Sequence, residues 1–203
     1  MSEFIIDPFF EQIVDSLAEQ KYAIADHFFT PQEVQDLRQL MLDKQANANF
    51  KKAAIGNNNG QHIAAEVRGD FILWIDEHSD HPLEQLYFAK VDALVKYINR
   101  TLYLGIKEGE FHYAIYPEGT FYKKHLDVFK TDNRRTLSVV FYLNSEDWKE
   151  EYGGQLAIYK PDGSQLKVTP TAGRLIIFDS KTVEHEVLPV NKTRFSITGW
   201  LKS

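Results

Sequence analysis

The stretch "VEHEVLPVNKTRFSITGWL", residues 183–201, decides how the chain is read. It holds two short runs rich in β-branched and aromatic residues, separated by the turn residues Asn191 and Lys192. That pattern predicts two strands joined by a turn. Side chains alternate across a strand, so Val183, His185 and Val187 share one face of the first run. On the second, Arg194, Ser196, Thr198 and Trp200 alternate with Phe195 and Ile197. Two orientations are open for this second strand. In one, the polar set faces inward: Arg194 offers its fork to a buried carboxylate, Thr198 adds a hydroxyl and Trp200 forms a pocket wall. In the other, Phe195 and Ile197 face the core and Arg194 lies in water.

Working back from there, "RLIIFD", "QLKVT", "QLAIYK", "TLSVVFYLN" and "FHYAIY" repeat the strand signature, with turn signals such as Pro161-Asp162-Gly163 and Gly153-Gly154 between them. The first half of the chain reads differently. Residues 8–20 and 83–102 carry apolar residues at helical spacing, and Thr30, Pro31 and Glu33 form a capping box with proline at the first helical position. Helices first and many short strands afterwards make an α+β fold, a sandwich or jelly roll with the helices packed on one side. A single domain over 1–203 is expected, helical to about residue 105 and β-rich from about 106.

Composition narrows the function. The chain has 203 residues, no cysteine and a formal net charge of −6. Absence of cysteine removes disulfides, thiolate metal sites and cysteine nucleophiles, and suits a cytoplasmic location. The acidic balance argues against a nucleic-acid partner. No apolar run approaches the ~20 residues that span a membrane, and "MSEFIIDPFF" lacks the basic region of a secretory signal. The basic residues Lys123, Lys124, Lys130, Arg134 and Arg135 read as a solvated edge. His27, His62, His78, His81 and His112 read as structural or surface residues, and Trp74 and Trp148 as packing residues.

In "FYKKHLDVFK", residues 121–130, His125 and Asp127 stand two apart. On a strand they would share a face, either as a surface pair or as two thirds of a metal site. His185 follows Asp127 by 58 residues, and Arg194 follows His185 by nine. Two histidines and a carboxylate from different strands form the facial triad of non-haem Fe(II) oxygenases. Three protein ligands leave three positions open, two for the carboxylate and keto oxygens of a 2-oxo acid and one for dioxygen. Arg194 then meets the second carboxylate of that acid.

The motifs "RGD" at 68–70 followed by "ILWID", "YPEGTFYKKHLD" at 116–127, "RRTLSVVFYLN" at 134–144, "GGQLAIY" at 153–159, "HEVLPV" and "TRFSITGW" carry a further signal. In them the chain resembles the prolyl-hydroxylase branch of the Fe(II)- and 2-oxoglutarate-dependent dioxygenases, over nearly all of residues 22–201. The resemblance implies a double-stranded β-helix, with His125, Asp127 and His185 on iron. It implies Arg194 and Tyr142 on the 5-carboxylate of 2-oxoglutarate, Tyr116 near the iron-bound end of the co-substrate, and Leu156 and Thr198 lining the pocket. It also implies hydroxylation of proline C4 in a protein, with succinate and CO2 released and ascorbate as a supporting reductant. Bacterial relatives suggest a translation factor as the target. A hydroxylase of a free amino acid or other small molecule, and a non-catalytic 2-oxoglutarate sensor, stay open as alternatives.

One segment has no clean period. Residues 47–62, "NANFKKAAIGNNNGQH", are expected to form a lid over a protein substrate. "RGD" would anchor its far end through an ion pair of Asp70 with Arg135 or Arg134.

Overall fold

The computed structural model describes residues 5–47, 50–53, 66–128 and 134–203. Its elements run in chain order as α1 Pro8–Gln20, β1 Tyr22–Ala25, α2 Pro31–Asn47, β2 Lys51–Lys52, β3 Phe71–Trp74, α3 Pro82–Leu102, β4 Glu108–Tyr116, β5 Tyr122–His125 and β6 Arg135–Tyr142. A 3₁₀ turn at Glu150–Tyr152 is followed by β7 Leu156–Tyr159, β8 Gln165–Val168, β9 Leu175–Asp179, β10 His185–Val187 and β11 Arg194–Lys202.

The helix ends follow local chemistry. Asp7 accepts from the backbone N–H of Phe9 at 2.9 Å and of Phe10 at 3.3 Å, ahead of Pro8 at the first turn of α1. The expected capping box of α2 has both arms. The Thr30 N–H donates to Glu33 Oε2 at 2.7 Å, and the Glu33 N–H donates to Thr30 Oγ1 at 3.3 Å. His81 caps α3 by accepting from the Leu83 N–H.

The strands form two antiparallel sheets, one of seven strands in the order β1-β9-β6-β11-β4-β3-β2 and one of four in the order β5-β10-β7-β8. β11 lies near the middle of the large sheet, paired with β4 on one side and β6 on the other. The three helices cover the outer face of that sheet, and the small sheet covers its inner face. This is the jelly roll with helices against one sheet. No helix among the described residues is long and apolar enough to cross a membrane.

This layering answers the question left open for β11. Phe195, Ile197 and Leu201 pack into the core beneath the helices, and Arg194 and Ser196 on the opposite face are buried as well. The choice between Arg194 inward and Phe195 inward was therefore no choice, because the strand is covered on both faces. Gly199 marks the closest approach. A Cβ there would stand 2.2 Å from the Phe111 ring and 2.3 Å from the Glu110 carbonyl, so no larger residue fits without displacing β4.

Several local expectations need correction. Asp70 pairs with Arg68, two residues away, and not with Arg134 or Arg135. Arg68 Nε and Nη2 reach its two carboxylate oxygens at 2.7 and 2.6 Å, a fork on a carboxylate with no exposure. Trp74 is 53% exposed, not a packing residue. Arg135 is no solvated edge: its side chain is 13% exposed, forks onto Glu110 and lies over the Trp200 ring at 3.4 Å. Of the expected lid, Asn47 ends α2, Lys51–Lys52 form β2 and Ala53 is buried. Residues 48–49 and 54–62 lie outside the described residues, as do Lys130 and His62.

A carboxylate that the helix pattern did not single out ties α3 to the sheet. Glu84 is 3% exposed and accepts from Tyr113 at 2.8 Å, from Lys44 at 3.1 Å and from Ser79. Burial opposes its ionisation. The Ser79 and Tyr113 hydroxyls and the Lys44 ammonium outweigh that and hold the carboxyl below its ordinary value of 4.5. A depressed folded value means stability that is present above the unfolded pKa and lost as pH falls through the folded one. Glu84→Gln should therefore cost about 1.5–3 kcal/mol at pH 7 in denaturant melts. The gap to the wild type should close progressively below pH 4.5. An equal gap at pH 7 and pH 3 would mean that the charge contributes nothing.

Candidate metal and co-substrate site

Between the two sheets runs a narrow cavity lined by residues of both. At one end stand His125, Asp127 and His185, whose candidate ligand atoms all lie within 4.8 Å of one another. His125 closes β5 and His185 opens β10, and the two strands pair with these histidines directly opposite each other. Their rings lie 4.3 Å apart. Asp127 comes two residues past the end of β5, outside the ladder, with Leu126 turned partly to solvent.

Backbone carbonyls set the state of both rings. His125 Nδ1 is 2.7 Å from the Lys123 carbonyl, and His185 Nδ1 is 3.1 Å from the Val183 carbonyl. A carbonyl only accepts, so each Nδ1 must be the N–H donor. Each Nε2 faces Asp127, at 3.4 Å from Oδ1 for His125 and 3.6 Å from Oδ2 for His185, and is the ring nitrogen left to bind a metal. Burial pushes His185 down to about 4, reinforced by the neighbouring His125 and opposed by the Asp127 carboxylate. The ring is neutral at physiological pH, the form in which an imidazole binds a metal. Burial also disfavours the Asp127 charge, but the two imidazoles and the Ser138 hydroxyl hold its carboxyl well below the ordinary range. One carboxylate and two imidazoles whose Nε2 atoms converge on it fit a divalent metal of intermediate softness.

The other end is built around Arg194, 1% exposed. Its guanidinium lies over the rings of Tyr116 and Tyr142, at 4.9 and 4.8 Å. Gly154, at φ +70°, sits against the arginine stem, and a Cβ there would approach its Cδ to 2.9 Å. Nη1 reaches Ser196 Oγ at a long 3.4 Å. Among the described residues no carboxylate lies within ion-pair distance of Arg194, and both its Nε and the Tyr142 hydroxyl lack a hydrogen-bond partner. A buried cation with no counter-ion beside an orphaned hydroxyl fits an anion at this end of the cavity.

The cavity gathers the other residues expected on the co-substrate as well. Tyr116, Leu156, Thr198 and Trp200 line it, with Thr198 two residues beyond Ser196 on the inward face of β11. It also contains groups the sequence reading passed over. His112, taken as structural, faces Thr198 across the β4–β11 ladder and is 2% exposed. Its ring lies 5.0 Å from Trp74 and 5.4 Å from Trp200, and its Nδ1 has no partner. Arg68 enters from the "RGD" turn with its guanidinium 4.3 Å over Tyr122, whose ring in turn stacks on His125 at 3.6 Å. The signal for His112 was available, since it falls on the same face of "FHYAIY" as Tyr116. A second groove, bordered by Tyr22, Tyr159 and Val183, holds no group of metal-ligand side chains among the described residues.

Comparison with known proteins agrees with this geometry. Residues 111–202 match the model of the 2OG-Fe(II) oxygenase superfamily. The chain is 30% identical over 207 residues to the hypoxia-inducible factor prolyl hydroxylase of Caenorhabditis elegans, covering 94% of this chain and 28% of that protein. It thus spans under a third of this curated relative. Among solved structures, a Pseudomonas putida prolyl-4-hydroxylase superposes with a TM-score of 0.86 at 37% identity, covering 96% of this chain and 99% of that one. A Trichoplax adhaerens prolyl hydroxylase, solved with a hypoxia-inducible factor peptide fragment, gives a TM-score of 0.86 at 27% identity over 95% of this chain and 88% of that one. Near-complete mutual coverage at such identity does not arise from a shared fold alone, and the chain belongs to the 2OG-Fe(II) oxygenase superfamily, as a homologue of its prolyl hydroxylases.

Proposed function

We propose that the protein is an Fe(II)- and 2-oxoglutarate-dependent dioxygenase that hydroxylates C4 of a prolyl residue in a protein substrate. The observation that carries the co-substrate is Arg194: a fully buried guanidinium, with no acid partner among the described residues, across the cavity from three candidate metal ligands. A 2-oxo acid with a second carboxylate suits both ends at once. Homology to prolyl hydroxylases supports the substrate class, and a translation factor is the first protein target to test.

His125, Asp127 and His185 would hold the iron, each histidine through Nε2. With 2-oxoglutarate and dioxygen, the metal supplies the oxidising power that places one oxygen atom on an unactivated C–H bond, the co-substrate leaving as succinate and CO2. The chain's own work is binding, orientation and exclusion of water. Arg194 and the Tyr142 hydroxyl would take the distal carboxylate, which gives their orphaned donors acceptors. Tyr116 and Leu156 wall the slot with buried apolar surface, and the Thr198 hydroxyl, 3.3 Å from Ser196 Oγ, extends the polar row toward the metal end. Trp200, with Arg135 over its ring, adds a further wall.

His125→Ala and His185→Ala should each abolish iron binding and turnover, and Asp127→Ala should do the same or leave a trace. Iron content and succinate release check both, and full activity in either histidine variant would remove the triad. Arg194→Ala should leave iron affinity near normal and raise the apparent KM for 2-oxoglutarate. A charged pair in a buried site is worth ~2–5 kcal/mol, roughly 30-fold to several thousand-fold. Tyr142→Phe should act in the same direction by less, since one hydrogen bond to a charged group is worth ~1.5–3 kcal/mol. Unchanged 2-oxoglutarate affinity in Arg194→Ala would end the co-substrate assignment. For the substrate, mass spectrometry of a cell extract incubated with enzyme, Fe(II), ascorbate and 2-oxoglutarate should show one added oxygen on a proline. Addition only to free amino acids would overturn the protein-substrate reading.

A further inference from the structure

We propose that Ser138 and Ser180 form a hydroxyl relay that positions Asp127 and selects which of its carboxylate oxygens is offered to the metal. The proposal rests on the metal-site reading above. Asp127 needs such support because it lies past the end of β5 and belongs to no ladder. Three contacts hold it. Its backbone N–H donates to the Ser180 carbonyl at 3.2 Å, Arg135 Nη1 donates to its carbonyl at 3.4 Å, and the Ser138 hydroxyl donates to its Oδ2 at 2.7 Å. Ser138 Oγ is in turn 2.8 Å from Ser180 Oγ.

The direction of the relay follows from proton counting. An ionised carboxylate only accepts, so the single hydroxyl proton of Ser138 is committed to Oδ2. In the serine pair, Ser180 must then be the donor. Both residues are buried, at 1% and 0% exposure. A chain of donors ending on a charge in such a setting is polarised toward that charge.

Oδ2 therefore carries the Ser138 hydroxyl hydrogen and lies 3.6 Å from His185 Nε2, while Oδ1 faces His125 Nε2 at 3.4 Å with no hydroxyl on it. Asp127 is set up as a one-oxygen ligand through Oδ1, because chelation by both oxygens would compete with the Ser138 bond. One-oxygen ligation preserves the three open positions that a bidentate acid and dioxygen require. The surroundings support a dedicated role. In "TLSVVFYL" the neighbours Leu137 and Val139 pack beneath the helices, and Ser138 is a polar residue on the inner face of a buried strand. Such a hydroxyl is costly unless its hydrogen bonds are made.

The test uses the full chain under anaerobic conditions with Co(II) as the probe, comparing wild type with Ser138→Ala, Ser180→Ala and Ser138→Thr. Loss of a partner that orients a metal ligand typically weakens binding about 10–100-fold. Ser138→Ala should fall in that range and change the visible spectrum of bound Co(II), Ser180→Ala should move both in the same direction by less, and Ser138→Thr should retain wild-type behaviour. A merely structural role would lower the metal-free melting temperature while leaving the spectrum of bound Co(II) unchanged, and that pattern would overturn the relay. Wild-type affinity and spectrum in Ser138→Ala would overturn it too. Should Ser138→Ala not fold, the same result in Ser180→Ala decides against it. Failure of the wild type itself to bind Co(II) would remove the metal site, and the relay with it.

Discussion

A guanidinium buried with no counter-ion among the described residues is the constraint on which this structure turns. Taking Arg194 out of water costs several kcal/mol, and a domain has only about 5–15 kcal/mol of net stability to lose. Cation–π contacts with Tyr116 and Tyr142 offset part of that cost. The rest is carried by the strand that bears it. β11 is paired along both edges, with β4 from Arg194 to Lys202 and with β6 from Ser196 onward, and its other face is pinned by Phe195, Ile197 and Leu201 beneath the helices. Few positions in the fold are held so firmly, and the unsatisfied charge sits on one of them.

The remaining charges around the cavity are matched. Arg68 is neutralised by Asp70 and Arg135 by Glu110, in each case through a fork. Asp127 has two imidazoles and a serine. What is left over is one positive charge at the deep end and one negative charge, flanked by two imidazoles, at the other. A divalent metal and a dianionic acid keep the sum at zero and give each of these separated charges a partner. Neither fits alone as well, since the metal would leave Arg194 unpaired and the acid would face Asp127 across the cavity. The electrostatics thus favour the two ligands together.

That His125, Asp127, His185 and Arg194 belong to one cavity was legible because their pattern lies in residue type and spacing, which survive without coordinates. Alternation on β11 was legible too, but its interpretation was not. A strand with one polar and one apolar face reads as half-buried, and only the seven-stranded sheet with layers on both sides shows that each face is covered. The pairing of Asp70 went wrong for a related reason. Arg68 and Asp70 flank Gly69, where a Cβ would stand 2.7 Å from Thr120, and this tight passage beside β5 lets residues two apart meet. The contacts of His112 and Trp74 were not legible because neither has a partner near it in sequence. They meet each other and Trp200 only through the β3–β4–β11 register. Ser138 is invisible to motif reading, since a lone serine in an apolar run matters only once Asp127 is 2.7 Å away.

Placement of the two ends on different sheets has an energetic consequence. The histidines belong to β5 and β10 of the small sheet, and Arg194 and Thr198 belong to β11 of the large one. A metal on the histidines and an acid on Arg194 would bridge the two layers, and their binding energy would be drawn across the sheet-to-sheet packing and not along one strand. A ligand that binds only the folded state stabilises it by about 2.7 kcal/mol at a hundred times its dissociation constant. Here that gain falls on the inner core between Tyr116, Leu156 and Val187, the packing that shapes the cavity. The groups without hydrogen-bond partners, the Arg194 Nε and the Tyr142 hydroxyl, lie on the paired strands β11 and β6, so an acid bound there would draw on the ladder that holds the large sheet together.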